Sequence, residues 1–142
     1  MAPDLLHGKL QLEVVTPEAR VLTLTCDEVR APGTAGGFGV RPGHTPFITS
    51  LAPGVLTAVA GGQEDYYAIA GGFCEVAENR VMVLAEFAQH AAEIDPAEAL
   101  REHDEAVKRM HEAQNRDEAA FRREAAVVRR ATARVAATRH RS

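Results

Sequence analysis

Arginine is concentrated in the last part of this sequence. Residues 117–142 contain seven arginines against three acidic residues, a net charge of +4, whereas residues 1–116 carry a net charge of −8. Guanidinium groups bind carboxylates and phosphates through paired hydrogen bonds. A basic segment on an acidic body therefore predicts an acidic partner, either a protein surface or nucleic acid. The candidate contact residues are Arg122, Arg123, Arg129, Arg130 and Arg134.

Other patterns resemble catalytic or metal-binding motifs, and each lacks an essential residue. The glycine-rich stretch 33–39 is not followed by the lysine and helix start of a phosphate-binding loop, because Pro46 comes soon after it. His111 and Glu112 begin like a zinc-protease HExxH motif, but Asn115 stands where the second histidine is needed. No GxSxG elbow is present. The sequence therefore predicts no catalytic residue and no metal site.

The cysteines and the hydropathy bear on the compartment. Cys26 and Cys74 are far apart and form no CxxC pair, which predicts buried thiols rather than a disulfide or a metal site. No apolar stretch approaches the roughly 18 residues of a membrane-spanning helix, and the first residues lack a secretory pattern. We expect a soluble, cytoplasmic chain that can still dock on a membrane complex.

The elements that must position these residues change type near residue 94. Before it, apolar and polar residues alternate with period two, which predicts strands. The predicted strands cover residues 10–14, 21–26, 55–60, 66–70, 73–77 and 80–86, with a glycine-rich loop over 33–39. Short strands with turn signals roughly every 8–12 residues indicate a mostly antiparallel β-sandwich or barrel.

Beyond Ile94 the sequence has no glycine and a single proline, Pro96. Asp95 can cap a helix that begins at Pro96, and Glu98 can close a capping box. A turn near residues 115–117 separates this helix from a second one. The predicted packing positions are Leu100, His103, Val107, Met110 and Gln114, then Phe121, Ala125, Val128, Thr132 and Val135. Alanine fills many neighbouring positions, so the helix pair buries little area and can separate or repack.

The fold class that follows is α+β, with two domains. An antiparallel β-sandwich occupies residues 1–92 and an antiparallel helical hairpin occupies residues 93–142. Two segments are more specific than this general pattern. They are GFGVRPGHTP at 37–46, followed by LAPGVL at 51–56, and AIAGGFCEV at 68–76, followed by VMVLAE at 81–86. Together with the helix start at residues 94–95, they closely resemble the epsilon subunit of F-type ATP synthases.

The resemblance implies a sandwich of about ten strands, a helix–loop–helix tail and a non-catalytic role in the central rotor stalk. Its implied partners are the gamma subunit, the c-subunit ring and the alpha/beta catalytic head. The implied location is the cytoplasmic face of the bacterial inner membrane, peripheral to it. Gly36, Gly37, Phe38, Arg41 and His44 match positions of the gamma and c-ring contact. The five candidate arginines match basic positions that meet an acidic loop of the beta subunit, where the extended helices restrain ATP hydrolysis.

The sequence departs from the family's pattern at two positions. Some members bind ATP through Ile/Leu-Asp-x-x-Arg-Ala, and here Glu98 replaces that arginine. We therefore expect weak ATP binding or none, and no cofactor. Gly37 stands where some relatives carry an acid that contacts the ring. The alternative function is a free-standing module whose basic helix binds nucleic acid, but that helix lacks the aromatic residues that stack on bases.

Overall fold

Eight strands precede two helices in the computed structural model, which describes residues 8–140. The strands are β1 (Leu10–Val15), β2 (Arg20–Cys26), β3 (Glu28–Gly33), β4 (Gly36–Val40), β5 (Phe47–Ser50), β6 (Gly54–Ala60), β7 (Gln63–Ala77) and β8 (Arg80–His90). A short 3₁₀ helix (Ala91–Glu93) leads to α1 (Pro96–Ala113) and α2 (Glu118–Thr138). Arg141, counted above in the basic tail, lies outside the described residues.

The sheet runs in the order β2-β1-β8-β7-β6-β3-β4, and β5 pairs with β7. The pairings are antiparallel except that of β1 with β8, where Leu12 lies opposite Val81 in a parallel ladder. The alternation in β1 has the predicted effect, because Leu10, Leu12 and Val14 are fully buried. They form one core with apolar residues of the other layers, which confirms the mostly antiparallel sandwich.

Two of the strands are long, and their length explains why eight strands are observed where about ten were expected. Strand β7 has 15 residues and β8 has 11. In the middle of β7, Gly71 and Gly72 have φ values of 71° and 107°, which residues with a Cβ rarely adopt. The halves of β7 on either side of this point pair with successive halves of β8. If each long strand is counted as two, the total is ten.

The glycine-rich segment was predicted to be a loop, and that prediction is wrong for most of it. Strands β3 and β4 form a tight hairpin, with only Thr34 and Ala35 between them. A Cβ on Gly33 would lie 2.7 Å from the carbonyl oxygen of Gly36, so the hairpin needs glycine there. Strand β5 was also missed, because its four residues follow a turn and are too few to show a period.

The limits of the helices agree with the capping prediction. The Asp95 carboxylate accepts hydrogen bonds from the backbone N–H groups of Ala97 and Glu98, and α1 begins at Pro96. Asp117 caps α2 by accepting from the N–H of Ala120. The expected capping box does not form. The Glu98 side chain instead forms an ion pair across the hairpin with Arg134 of α2.

The packing positions of the hairpin were predicted incorrectly in part. Leu100 is 51% exposed, and Gln114 and Thr132 are also exposed, whereas the other predicted positions are half-buried. The fully buried residues are alanines: Ala99, Ala106, Ala131, Ala133 and Ala137. Small side chains allow the helices and the sheet to approach closely, so alanine rather than leucine occupies the contact. Helix α2 packs on β6 and β7 through a small cluster that includes Ala68, Ala70 and Ile94.

Candidate interaction surfaces

Large apolar side chains are exposed together on the outer side of β5, β7 and β8. Ile48 is 69% exposed, Phe73 is 60% exposed and Leu84 is 52% exposed. Phe73 lies directly opposite Leu84, and Leu84 lies opposite Val15 of β1. Ile48 pairs with Glu75, two residues beyond Phe73 on the same side of the sheet. We call Val15, Ile48, Phe73, Met82 and Leu84 the apolar face, in which exposed Glu75 lies between Ile48 and Met82.

A shallow groove adjoins the apolar face. It has a volume of about 400 Å³, and its walls include Val15, Pro17, Phe73 and Leu84, with Glu86 at one side. Contiguous exposed apolar surface on a globular protein indicates a protein or membrane partner. This surface is not evident in the sequence, because its residues come from four strands and only the strand register brings them together.

A charged network lies between β3, β6–β7 and the segment that follows β4. Arg41 Nε is 2.6 Å from one carboxylate oxygen of Glu28, and Arg30 Nε is 2.5 Å from the other. Arg30 also pairs with Glu64 at 3.0 Å. The hydrogen bond from Arg41 is the main reason that the pKa of the Glu28 carboxyl is lowered. Arg41 is therefore held in a fixed place while most of its side chain stays exposed.

The five residues predicted for the gamma and c-ring contact fall at two ends of β4. Gly36 and Gly37 are exposed at its start, whereas Arg41 and His44 follow its end, roughly 13 Å further along the strand direction. Phe38 is half-buried between the two ends. Its ring centre lies 5.2 Å from that of Phe47, and the His44 ring centre lies 6.0 Å from that of Phe47. Phe47 thus connects Phe38, which adjoins Gly37, with His44 beyond the other end of β4.

The five predicted arginines of α2 have different surroundings. Arg122 forms an exposed ion pair with Glu118 at 2.6 Å. Arg123 and Arg129 are exposed, and neither forms an ion pair with another residue of the described range. Arg130 is half-buried, with its guanidinium 5.8 Å from the centre of the Phe87 ring. Three of the five arginines are therefore open to a partner in this conformation.

Arg134, the fifth arginine, is buried. Its Nε donates to Gln89 Oε1 at 3.0 Å and its Nη1 donates to Glu102 Oε1 at 3.2 Å. Its Nη2 lies 3.5 Å from Glu98 Oε1. These partners belong to β8 and α1, so Arg134 joins the sandwich to both helices.

A second polar cluster lies where the sandwich ends. His90 Nδ1 accepts a hydrogen bond from the backbone N–H of Ala92, so the ring proton is on Nε2, which is 2.6 Å from Asp65 Oδ1. The hydroxyl of Tyr67 donates to the other oxygen of Asp65 at 3.0 Å. Burial, with Asp65 as a further cause, raises the pKa of Tyr67. These bonds fix the path of the chain as it leaves β8.

Both cysteines are buried and free, which confirms the prediction of structural thiols. Burial raises the pKa of Cys74 to about 11, so its reactive thiolate is scarce at neutral pH. Within residues 8–140, no three side chains of His, Cys, Asp or Glu are grouped to hold a metal ion. None of the helices in that range is long and apolar enough to cross a membrane.

Comparisons with known proteins find a matching family model and similar sequences. The family model "ATP synthase, Delta/Epsilon chain, beta-sandwich domain" matches residues 9–91. The chain is 60% identical to the ATP synthase epsilon chain of Anaeromyxobacter sp. (strain Fw109-5) over 97 residues, 68% of this chain and 74% of that one. The epsilon chain of Myxococcus xanthus is 48% identical over 99 residues, 70% of this chain and 73% of that one.

The structural likeness extends further along the chain than the family model does. A chain in the cryo-EM structure of the Euglena gracilis mitochondrial ATP synthase (OSCP/F1/c-ring, rotational state 1) superposes with a TM-score of 0.75 and 25% identity. The superposition covers 94% of this chain and 82% of that one. A match of that extent must include the helical hairpin, which lies beyond the residues matched by the family model.

Proposed function

The chain belongs to the delta/epsilon family of ATP synthase subunits, and on that premise we propose that it is a non-catalytic subunit of the rotor, which couples proton translocation to ATP synthesis. The observation that carries the proposal is the apolar face on a sandwich of this family. Ile48, Phe73 and Leu84 leave a large apolar area facing water in the isolated chain, and covering it would be favourable. Such an area fits permanent attachment to another subunit, because stable interfaces have an apolar centre.

The sandwich offers two chemically different contacts in this proposal. The apolar face binds the gamma subunit, which turns with the rotor. The Gly36–Gly37 end of β4, with Phe38 beside it, suits the contact with the c-subunit ring. The segment after β4 presents Arg41 and His44, with Arg41 held by Glu28, and suits a polar contact beside the gamma subunit. Attachment through these partners locates the chain on the cytoplasmic face of the bacterial inner membrane.

The hairpin has the regulatory role in this proposal. Its docked form leaves Arg122, Arg123 and Arg129 exposed, and its alanine-rich contact with the sandwich permits a second, extended position. Extended helices would bring all five arginines to an acidic surface of the beta subunit and restrain ATP hydrolysis. Glu98 pairs with Arg134, which supports weak ATP binding or none. No relative supports the alternative of a nucleic-acid-binding module.

The test is a truncation after Ile94, reconstituted with the alpha, beta and gamma subunits. We expect the truncated chain to assemble as the full chain does, because the sandwich has its own core. We expect ATP hydrolysis by the complex to rise, because the arginines are gone. Unchanged hydrolysis would refute the restraining role, and failure of the full chain to co-purify with gamma would refute the rotor assignment itself.

A further inference from the structure

Arg134 is the only charged residue among residues 8–140 whose side chain is buried, with 8% exposure. A guanidinium group is tolerated in such a place only when its donors are satisfied and its charge is balanced. Nε and Nη1 donate hydrogen bonds to Gln89 and Glu102, and Nη2 lies 3.5 Å from the Glu98 carboxylate, so two carboxylates balance the charge. The arrangement is therefore a complete ion-pair site built within the chain.

The partners of Arg134 come from different elements. Gln89 is near the end of β8, whereas Glu98 and Glu102 lie one turn apart on α1. Movement of the hairpin away from the sandwich breaks the bond to Gln89, and separation of the helices breaks the two ion pairs. Arg134 therefore loses contacts in both movements.

The fully buried apolar contact beneath the hairpin is built largely from small side chains. It consists mainly of alanines, with Ile94 as its one large, fully buried aliphatic residue, and half-buried Val55, Tyr66, Phe87 and Val135 pack around it. A methyl group buries little area, and the stabilisation from burial follows the area. The hydrogen bond from Arg134 to Gln89 adds a directional polar contact to this cluster, and the Glu98 and Glu102 carboxylates of α1 hold the guanidinium in the position that makes it.

We propose that Arg134 is a latch that holds the helical hairpin on the sandwich through its hydrogen bond to Gln89, with its guanidinium fixed in position by the Glu98 and Glu102 carboxylates. The latch needs no ligand, because its anions are two side chains of α1. This inference goes beyond the proposed function, since it concerns the docking equilibrium of the chain by itself. It stands whether or not the hairpin restrains ATP hydrolysis.

Another ion pair serves as an internal comparison. Arg109 of α1 pairs with Glu124 of α2 at 3.0 Å, nearer the tip of the hairpin. This pair joins the two helices, but among the described residues neither Arg109 nor Glu124 has a hydrogen bond or ion pair to the sandwich or to Arg134. Its removal should leave the hairpin docked, so Arg109→Gln is the matched control for Arg134→Gln.

The experiment measures exposure of the docked face in the isolated full-length chain. Ala133 is fully buried between α2 and the sandwich, so Ala133→Cys introduces a thiol that reacts only when the hairpin lifts. The buried native Cys26 and Cys74 report at the same time on the sandwich. The probe is a maleimide, and the readout is the labelling rate of each cysteine, resolved by mass spectrometry of peptides.

In the Ala133→Cys background we expect Arg134→Gln to accelerate labelling at position 133 by about tenfold or more. Glu102→Gln, which keeps an acceptor but removes a charge that fixes the Arg134 guanidinium opposite Gln89, should accelerate it by about threefold. Arg109→Gln should leave the rate unchanged. Cys26 and Cys74 should stay unlabelled in all three variants.

Equal labelling of the Arg134→Gln variant and its parent would overturn the latch. If Arg134→Gln also exposes the native cysteines, the sandwich itself has opened, and the test then depends on the milder Glu102→Gln variant. An unchanged labelling rate at position 133 in the Glu102→Gln variant would then overturn the proposal. Equal acceleration by Arg109→Gln would refute it too, because the effect would then come from any loss of charge on the hairpin.

Discussion

Replacement of Phe73 by alanine should weaken binding to gamma by about 60-fold without lowering the stability of the chain. Phe73 is 60% exposed in the middle of the apolar face. A phenylalanine side chain can bury 150 Å² or more, so roughly 100 Å² of it remains for a partner to cover. At about 25 cal/mol per Å², the loss is about 2.5 kcal/mol of binding free energy. The folded chain loses little, because this area already faces water.

The assay is calorimetric titration of the chain into a complex of alpha, beta and gamma that lacks it. Leu84→Ala should show a similar, smaller loss, because Leu84 lies opposite Phe73 and is 52% exposed. Leu100→Ala is the matched control, since Leu100 is equally exposed but lies on α1, away from the apolar face. Urea unfolding of each variant checks that stability is unchanged. Parental affinity in both the Phe73 and Leu84 variants would refute the assignment of this face.

Three further predictions concern the chain by itself. Gly72→Ala should lower the free energy of unfolding by about 3 kcal/mol or more in urea titrations, because a Cβ there would lie 1.9 Å from the carbonyl oxygen of Leu84 at a φ of 107°. Arg41→Gln should raise the pKa of the Glu28 carboxyl in an NMR titration, because its main hydrogen bond is lost. Because the folded pKa of Glu28 is lowered, its carboxylate stabilises the folded chain at pH values above the unfolded pKa of about 4.3. This stabilisation is lost as the pH falls through the folded pKa, so the stabilities of variant and parent should converge at acid pH. Cys74, with a pKa of about 11, should resist alkylation at pH 8 and react within minutes once urea unfolds the chain.

Local chemistry made several features predictable from the sequence. The Asp95-Pro96 pair fixes the start of α1, because a carboxylate cap and a proline at the first position act on neighbouring backbone groups. The alternation of Leu10, Leu12 and Val14 fixes the inward side of β1, because the strand period is two. These signals need no knowledge of distant residues.

Features that depend on distant residues were not predictable in the same way. The apolar face exists because Ile48, Phe73 and Leu84 meet through the register of three strands. Arg134 looks like one more basic residue of α2, and only its position opposite α1 and β8 makes it a buried ion pair. The packing positions of the hairpin were predicted incorrectly for a related reason, because the close approach of the helices to the sheet selects alanine over leucine.

The parallel ladder between β1 and β8 sets the order in which the chain can fold during its synthesis. Strand β1 leaves the ribosome first and can pair at once with β2, but its other neighbour is the last strand to be made. The sandwich therefore closes in one late step, and such non-local topologies fold over roughly milliseconds to seconds. Nascent chains stalled before residue 80 should remain sensitive to protease, with open strand edges exposed to neighbours. The hairpin emerges after this closure and reaches a sheet that is already complete.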